Sequence, residues 1–128
     1  MKTSELIGSA LDWAVAKCEG YDLFVVGKNA AYYSPTHGAL VYALYSTKWE
    51  HGGPIIEREG INTFKYNKLD ASEHDRWGAH KVVPRKAMDG VEYSAALCLD
   101  GPTPLIADMR CYVASKLGDE VKIPKELK

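Results

Sequence analysis

The chain has 128 residues, of which 46% are hydrophobic, and this is enough for one domain with a real core. Sixteen Lys and Arg residues face seventeen Asp and Glu residues, giving a formal net charge of -1. This balance excludes the strongly basic surface of a general nucleic-acid binder, so no duplex-DNA binding is predicted. We expect a single globular domain over residues 1–128, with a short charged tail at 119–128.

Cysteine usage and hydropathy indicate the compartment. The three cysteines are widely separated and form no CxxC pair, which predicts neither a disulfide framework nor a cysteine zinc site. The N-terminal run carries charged residues within its helical pattern, so we predict no signal peptide, and no stretch is apolar enough for a membrane span. The expected location is a reducing cytoplasm, without membrane contact.

The first predicted element is an amphipathic helix that ends at Gly20. Ser4 or Ser9 is the predicted N-cap, since a serine hydroxyl can accept a hydrogen bond from the first turn. At 100° per residue the apolar side chains share one arc, and Asp12 points to the opposite side. This pattern is typical of a helix that covers a core.

A strand is predicted at 21–26, where aromatic and β-branched residues are dense, and a turn follows at 27–29. Residues 32–38 contain Pro, Ser, Thr and Gly and indicate a long exposed loop, followed by a second strand at 40–45. Long loops in small domains are often binding elements.

The middle of the chain predicts one short helix and three strands. Pro54 suits the first helical turn and Gly60 suits the end, so the helix is expected at 54–59. The three strands are expected at 61–66, 77–83 and 92–99, with a polar loop at 68–76. Short connections leave no room for helical crossovers, so the sheet is predicted to be antiparallel.

The last helix has the clearest boundaries. Thr103 is the predicted N-cap, Pro104 the first helical residue and Gly118 the end. Asp108 lies opposite the apolar arc, and Arg110 lies at its edge, with its guanidinium available to a ligand. The predicted fold class is therefore α+β, an antiparallel β-sheet packed with an N-terminal and a C-terminal helix.

Three blocks of the chain, taken in order, resemble the NinX-like proteins of lambdoid phages, a family of unassigned function. The blocks lie at 2–16, 45–58 and 104–119, and the middle one includes Gly52-Gly53-Pro54-Ile55-Ile56-Glu57-Arg58. The chain also resembles, more weakly, the phage ABA sandwich group, in which an antiparallel sheet lies between helical layers. The resemblance implies a phage or prophage origin and brings no assigned activity.

Aromatic residues form the first set of candidate ligand- or partner-binding residues. Tyr45, Trp49 and Trp77 each offer a large ring with one polar atom, which suits stacking on a base or anchoring a partner protein. The alternative is that both tryptophans belong to the partly buried core.

The second set surrounds the two glycine-proline breaks. Gly52, Gly53, Thr103 and Arg110 would hold a phosphate or carboxylate if the two predicted helix starts converge, because free N–H groups there attract anions. The alternative is ordinary capping of two helices, since neither break has the GxxxxGK[ST] pattern of a P-loop.

No catalytic residue, metal ligand or cofactor is predicted. The four histidines lack metal-ligand spacing. Cys98 or Cys111 with His80 is the only nucleophilic pair that the sequence offers, and buried structural cysteine is the commoner role.

Three hypotheses follow. The leading one is a non-enzymatic phage accessory protein that binds a host or phage protein, or a small anionic ligand. The second is an enzyme acting on nucleotides, with Glu57, His80 and Arg110 as the groups that could serve in acid-base and anion roles. The third is a structural homo-oligomer that buries its own exposed apolar surface.

Overall fold

The computed structural model describes residues 1–66 and 76–128, and these residues form three α-helices and two three-stranded antiparallel sheets. The helices are α1 (Gly8–Cys18), α2 (Trp49–Glu59) and α3 (Pro104–Leu117). The strands are β1 (Leu23–Val26), β2 (Asn29–Ser34), β3 (Ala39–Tyr42), β4 (Asn62–Lys65), β5 (Trp77–Lys86) and β6 (Glu92–Gly101). Of the loop predicted at 68–76, all but residue 76 lies outside the described residues.

The first sheet has the order β1-β2-β3 and corrects the prediction of a long loop. Tyr32 is paired with Leu23 on one side and with Val41 on the other, so it lies in the central strand. Aromatic and β-branched residues favour such a half-buried pleated surface, and here they outweigh the nearby turn residues. The predicted exposed loop shrinks to the connection between β2 and β3.

The second sheet has the order β4-β5-β6 and confirms the antiparallel strands predicted for the second half of the chain. Strands β5 and β6 form a long hairpin of ten residue pairs. Its turn is closed by the Ala87 N–H, which donates to the Val91 carbonyl oxygen at 2.8 Å.

The helices form the middle layer. Helix α3 packs on all three strands of the second sheet, and α1 and α2 pack on α3, while α1 also covers β1 and β2. Residues 105–114 of α3 are consequently all buried. The α+β class with antiparallel strands and terminal helices is confirmed. Two three-stranded sheets take the place of the one sheet predicted.

Helix α1 begins without a side-chain cap, so the predicted caps Ser4 and Ser9 are wrong. Its N-cap residue is Ile7, and a short 3-10 turn at Thr3–Glu5 precedes it. The outward orientation predicted for Asp12 is also wrong. The segment after β3 covers this side of α1, and Asp12 accepts a hydrogen bond from the backbone N–H of Ser46.

Helix α2 begins five residues before the predicted start, with Pro54 inside it. Its first turn is held by the Lys48 carbonyl oxygen, which accepts from the N–H groups of His51 and Gly52. The predicted end is confirmed, since Gly60 takes a left-handed conformation with φ of 66°. The first glycine-proline break is therefore part of a helix rather than a helix start.

Helix α3 agrees with the prediction at both ends. The Thr103 hydroxyl oxygen accepts from the Ile106 N–H at 3.1 Å, and Pro104 is the first helical residue. Asp108, expected on the solvent side, is completely buried because the second sheet covers that face. In the tail, Val121 forms backbone hydrogen bonds with Met1 at the N-terminus.

Candidate functional site: an aromatic cleft

A surface cleft of about 280 Å³ lies where the end of α1, the first sheet and α2 meet. We name it the aromatic cleft and define it by its lining residues. They are Glu19, Tyr21, Tyr32, Tyr45, Glu50, His51, Pro54, Ile55 and Arg58.

A row of four rings forms one wall of the aromatic cleft. Tyr21 stacks on Tyr32 with the ring centroids 4.3 Å apart, and Tyr32 lies 6.4 Å from Tyr45 at the same interplanar angle of 24°. His51 then meets the Tyr45 ring edge-on at 6.1 Å. Such offset and edge-to-face arrangements are the favoured geometries of aromatic pairs. The row begins at the exposed Tyr21 and ends at the first turn of α2.

The row is anchored by a buried contact between α1 and the segment that follows β3. Asp12 is 5% exposed, and one of its carboxylate oxygens accepts from the Ser46 N–H at 2.7 Å. This bond fixes the backbone beside Tyr45, whose ring is 5% exposed. Burial raises the pKa of Asp12 to about 6, although the hydrogen bond from Ser46 opposes the shift. Burial likewise raises the pKa of the Tyr45 phenol, which stays neutral at physiological pH.

Arg58 is the cation of the aromatic cleft, and its donors are largely used within the protein. Its two terminal nitrogens donate to the two oxygens of Glu19 at 3.1 and 2.7 Å, and its Nε donates to Glu59 at 2.9 Å. One terminal nitrogen also donates to the Tyr112 hydroxyl. Four of the five N–H donors of the guanidinium are thus engaged. Burial alone would raise the pKa of Glu19, but hydrogen bonds from Arg58 and Tyr112 lower it.

Glu59 extends this network away from the cleft. It accepts from Lys81 at 2.6 Å, and this bond, with the one from Arg58, lowers the pKa of Glu59 to about 2 despite desolvation. Glu50 differs, because no ion pair within 4 Å joins it to another part of the chain that the structure describes. Among the described residues that line the cleft, the carboxylate without an ion-pair partner is therefore that of Glu50, in the first turn of α2.

Most of the residues that the sequence suggested for binding lie outside the lining of the aromatic cleft. The member of that set that lines the aromatic cleft is Tyr45. Trp49 is 54% exposed at the start of α2, next to Glu50. Trp77 packs partly against the core, with the Lys65 ammonium 5.6 Å from its ring centroid. Binding by any of these residues stays a prediction.

The glycine-proline residues have clear structural surroundings. A Cβ atom on Gly52 would lie 2.6 Å from Leu105 Cδ1 and 2.9 Å from the Tyr45 carbonyl oxygen, so this glycine permits close packing of α2 on α3. Gly53 has no atom within 4 Å of the equivalent position. Thr103 uses its hydroxyl as the α3 cap.

Arg110 was expected to offer its guanidinium to a ligand, and that orientation is wrong. The residue is 5% exposed; its Nε donates to the Leu6 carbonyl oxygen at 2.8 Å and its Nη1 to that of Asp100 at 2.9 Å. Desolvation lowers its pKa. The guanidinium therefore joins the N-terminal segment and β6 to α3.

The groups named for an enzyme do not share one site. Residues alternate between sheet faces, and Ala79, completely buried, faces inward, so the neighbouring His80 faces outward. Arg110 lies on the helix that covers the inner face. Cys98 is the residue opposite His80 and is exposed, whereas Cys111 is buried and its pKa is raised to about 12, chiefly by desolvation. Among the described residues no group of three or more His, Cys, Asp or Glu side chains could hold a metal ion.

Sequence reasoning missed most of the aromatic cleft. Tyr32 was assigned to a loop. Its pairing with Leu23 and its position beside Tyr21 on the inner face of the first sheet were therefore not predicted. His51 and Glu50 were placed before α2 because Pro54 was taken as its start. The strand-favouring pair Tyr32-Tyr33 was the available signal for the first error.

The fold and the cleft define a class of small α+β protein in which two antiparallel sheets enclose a helical layer and leave a tyrosine-lined cleft open. Within the described residues, no helix has the length and apolar character needed to cross a membrane.

The family model described as bacteriophage P22 NinX matches residues 2–116. The chain therefore belongs to the NinX family of phage proteins, which confirms the resemblance seen in the sequence. No curated protein matches the chain. The family identifies a phage protein and assigns no biochemical role to it.

Proposed function

We propose that this phage protein is a non-catalytic accessory protein that binds another protein in the bacterial host cytoplasm, receiving a basic side chain of that partner in the aromatic cleft. The observation that carries the proposal is the stacked row of Tyr21, Tyr32 and Tyr45 in the same cleft as Glu50, whose carboxylate has no ion-pair partner among the described residues. The partner is a host or phage protein with an exposed Lys or Arg.

The rings and the carboxylate favour a cation for the same electrostatic reason. The face of an aromatic ring carries partial negative charge, and a cation held over it gains about 0.5–2 kcal/mol. Tyr21 is 38% exposed, so part of its surface is open to such a contact. A planar guanidinium also stacks on aromatic rings, which makes Arg the better fit of the two basic side chains.

An anion is disfavoured at this cleft. Arg58 would be its natural partner, but Glu19 and Glu59 already neutralise that guanidinium with three hydrogen bonds. An incoming phosphate would have to displace Glu19, which also accepts from the Tyr112 hydroxyl. The volume of about 280 Å³ is near the lower limit for small-molecule sites and suits a single side chain.

The test is an NMR titration of protein labelled at the tyrosine rings. Acetyl-arginine methylamide should shift the resonances of Tyr21 and Tyr32, whereas acetyl-aspartate methylamide should not. Tyr93, 51% exposed on β6, is an internal control and should not respond to either probe. Glu50→Gln should weaken the arginine effect. Equal responses to both probes, or no response of Tyr21 and Tyr32 to the arginine probe, would contradict the proposal.

A homo-oligomer is the second candidate, favoured by the outer face of the first sheet. Large apolar side chains on this face are 39–51% exposed: Phe24, Val26, Tyr33, Leu40 and Tyr42. Contiguous apolar surface of this kind is typical of contact regions. Light scattering should then give a mass of at least two chains for the natural protein and of one chain for Leu40→Lys. A monomeric natural protein removes this candidate.

A further inference from the structure

We infer that the protein has a second ligand site, separate from the aromatic cleft, which binds a small phosphorylated molecule carrying a flat ring, of the nucleotide class. The site is a cleft of about 700 Å³ between α1 and the C-terminal tail, and we name it the lysine cleft. Its lining residues are Met1, Trp13, Lys17, Glu120, Val121, Lys122, Ile123, Pro124 and Lys128. It shares no residue with the aromatic cleft.

The charge of the lysine cleft favours an anion. Three lysines line it against one acidic residue, Glu120. No carboxylate in the described ranges lies within 4 Å of the ammonium groups of Lys17, Lys122 or Lys128. This is the reverse of the aromatic cleft, where the guanidinium is already paired. Lysine ammonium groups act as compact point charges for phosphate oxygens.

Trp13, one of the lining residues, supplies the lysine cleft with an aromatic surface for a ring. Trp13 is partly buried and lies one helical turn before Lys17, so the indole and the ammonium are on the same side of α1. An indole face stacks on a planar ring, and stacking of a base on an aromatic side chain contributes about 1–3 kcal/mol. A cleft lined by an indole and lysines is therefore suited to a molecule that has both a ring and a phosphate.

The wall opposite α1 is held in place by backbone pairing. The Val121 N–H donates to the Met1 carbonyl oxygen at 2.9 Å, and the Thr3 N–H donates to the Asp119 carbonyl oxygen at 2.8 Å. Val121 and Ile123 are buried at 4% and 7% exposure, and Lys122 between them is exposed. This alternation turns the Lys122 side chain outward from a fixed backbone.

The size of the cleft agrees with such a ligand. Sites for small molecules and cofactors have volumes of about 300–1,000 Å³, and this cleft lies within that range. The aromatic cleft lies just below it, which is consistent with a side chain rather than a whole nucleotide.

The experiment is isothermal titration calorimetry of the full chain with ADP, adenosine and pyrophosphate as separate probes. ADP should bind with a dissociation constant below about 1 mM, and adenosine and pyrophosphate should each bind at least about tenfold more weakly. Binding of ADP should also quench tryptophan fluorescence, because Trp13 lines the cleft.

Two charge-reversal variants with the same net charge identify the site. Lys17→Glu with Lys122→Glu should weaken ADP binding at least about tenfold. Lys28→Glu with Lys86→Glu changes two exposed lysines, one in the β1–β2 turn and one at the end of β5, and should leave it unchanged. Circular dichroism of each variant confirms the fold.

Three results would overturn the inference. ADP that does not bind at about 1 mM removes the site. An equal loss of ADP affinity in both double variants shows that net charge, and not a defined site, controls binding. Pyrophosphate that binds as tightly as ADP shows that the ring makes no contact and contradicts the role of Trp13.

Discussion

The interior around α3 and the aromatic cleft use polar and aromatic side chains in opposite ways. Around α3, Arg110 is 5% exposed, and its guanidinium donates hydrogen bonds to two backbone carbonyl oxygens. The Thr103 side chain caps the helix. In the cleft, Tyr21 is 38% exposed and Glu50 has no ion-pair partner within the described residues. Residue type alone marked the first group as candidate binders, but the second group keeps surface and charge free for a partner.

The difference shows that a binding site is recognised by side chains whose surface or charge is not already used in contacts within the fold. A buried guanidinium whose N–H groups are hydrogen-bonded contributes to stability, because its removal leaves buried carbonyl oxygens without a donor. An exposed ring or carboxylate contributes little to folding and is available to another molecule. The first two predictions below compare a residue of the interior with a residue at or near the cleft.

The largest effect is expected from the two arginines. Arg110→Met should lower the free energy of unfolding by about 3 kcal/mol, because buried carbonyl oxygens of Leu6 and Asp100 lose a charged donor. Arg58→Met should lower it by about 1 kcal/mol or less, since the Arg58 side chain is half exposed and solvent screens its ion pairs. Urea unfolding curves measure both. Equal decreases in the free energy of unfolding would mean that the buried hydrogen bonds of Arg110 stabilise the fold no more than the exposed ion pairs of Arg58.

The next effect separates two adjacent glycines of α2. Gly52→Ala should lower the free energy of unfolding by about 1–2 kcal/mol, because its Cβ would lie 2.9 Å from the Tyr45 carbonyl oxygen and must displace Leu105. Gly53→Ala should raise it by about 0.5–1 kcal/mol, since alanine favours a helix and the space is open. Opposite signs in the same unfolding assay are the expected result. Two variants with the same sign would refute the close packing at Gly52.

A smaller effect concerns the buried acid that anchors the tyrosine row. The folded-state pKa of Asp12 is raised from 3.8 to about 6, so its contribution to stability is full below pH 3.8 and is lost as pH rises through 6. Asp12→Asn should therefore raise the free energy of unfolding at pH 7 by about 1 kcal/mol and change it little at pH 4.

Unfolding of both proteins at the two pH values gives this difference directly, and other titrating groups cancel in the comparison. Glu92→Gln is the control, because Glu92 is exposed at the start of β6. If Asp12→Asn were less stable at pH 7 than the natural protein, the carboxylate would be a needed charged acceptor for Ser46.

Local sequence signals predicted the ends of elements where one residue type acts by itself. Thr103 and Pro104 start α3, and Gly60 ends α2, because capping and left-handed backbone depend on a few neighbouring residues. The antiparallel strands of the second sheet followed from β-branched content and short connections.

Features that depend on tertiary contacts were not predictable in this way. Pro54 looked like a helix start, but residues before it are helical because α2 packs on α3, where Gly52 allows close approach. Asp12 and Asp108 looked solvent-facing until other elements covered them. The aromatic cleft combines rings from β2, from the segment after β3 and from α2, and no local pattern specifies that meeting.

The most direct test of the proposed binding role is capture of a partner from lysate of infected host cells by the natural protein, Glu50→Lys and Glu92→Lys. Both variants change the net charge equally, but only Glu50 lines the aromatic cleft. We predict one partner that the natural protein and Glu92→Lys retain in equal amount and Glu50→Lys loses. The same partner retained by all three proteins, or none retained by any, would contradict recognition of a basic side chain in the aromatic cleft.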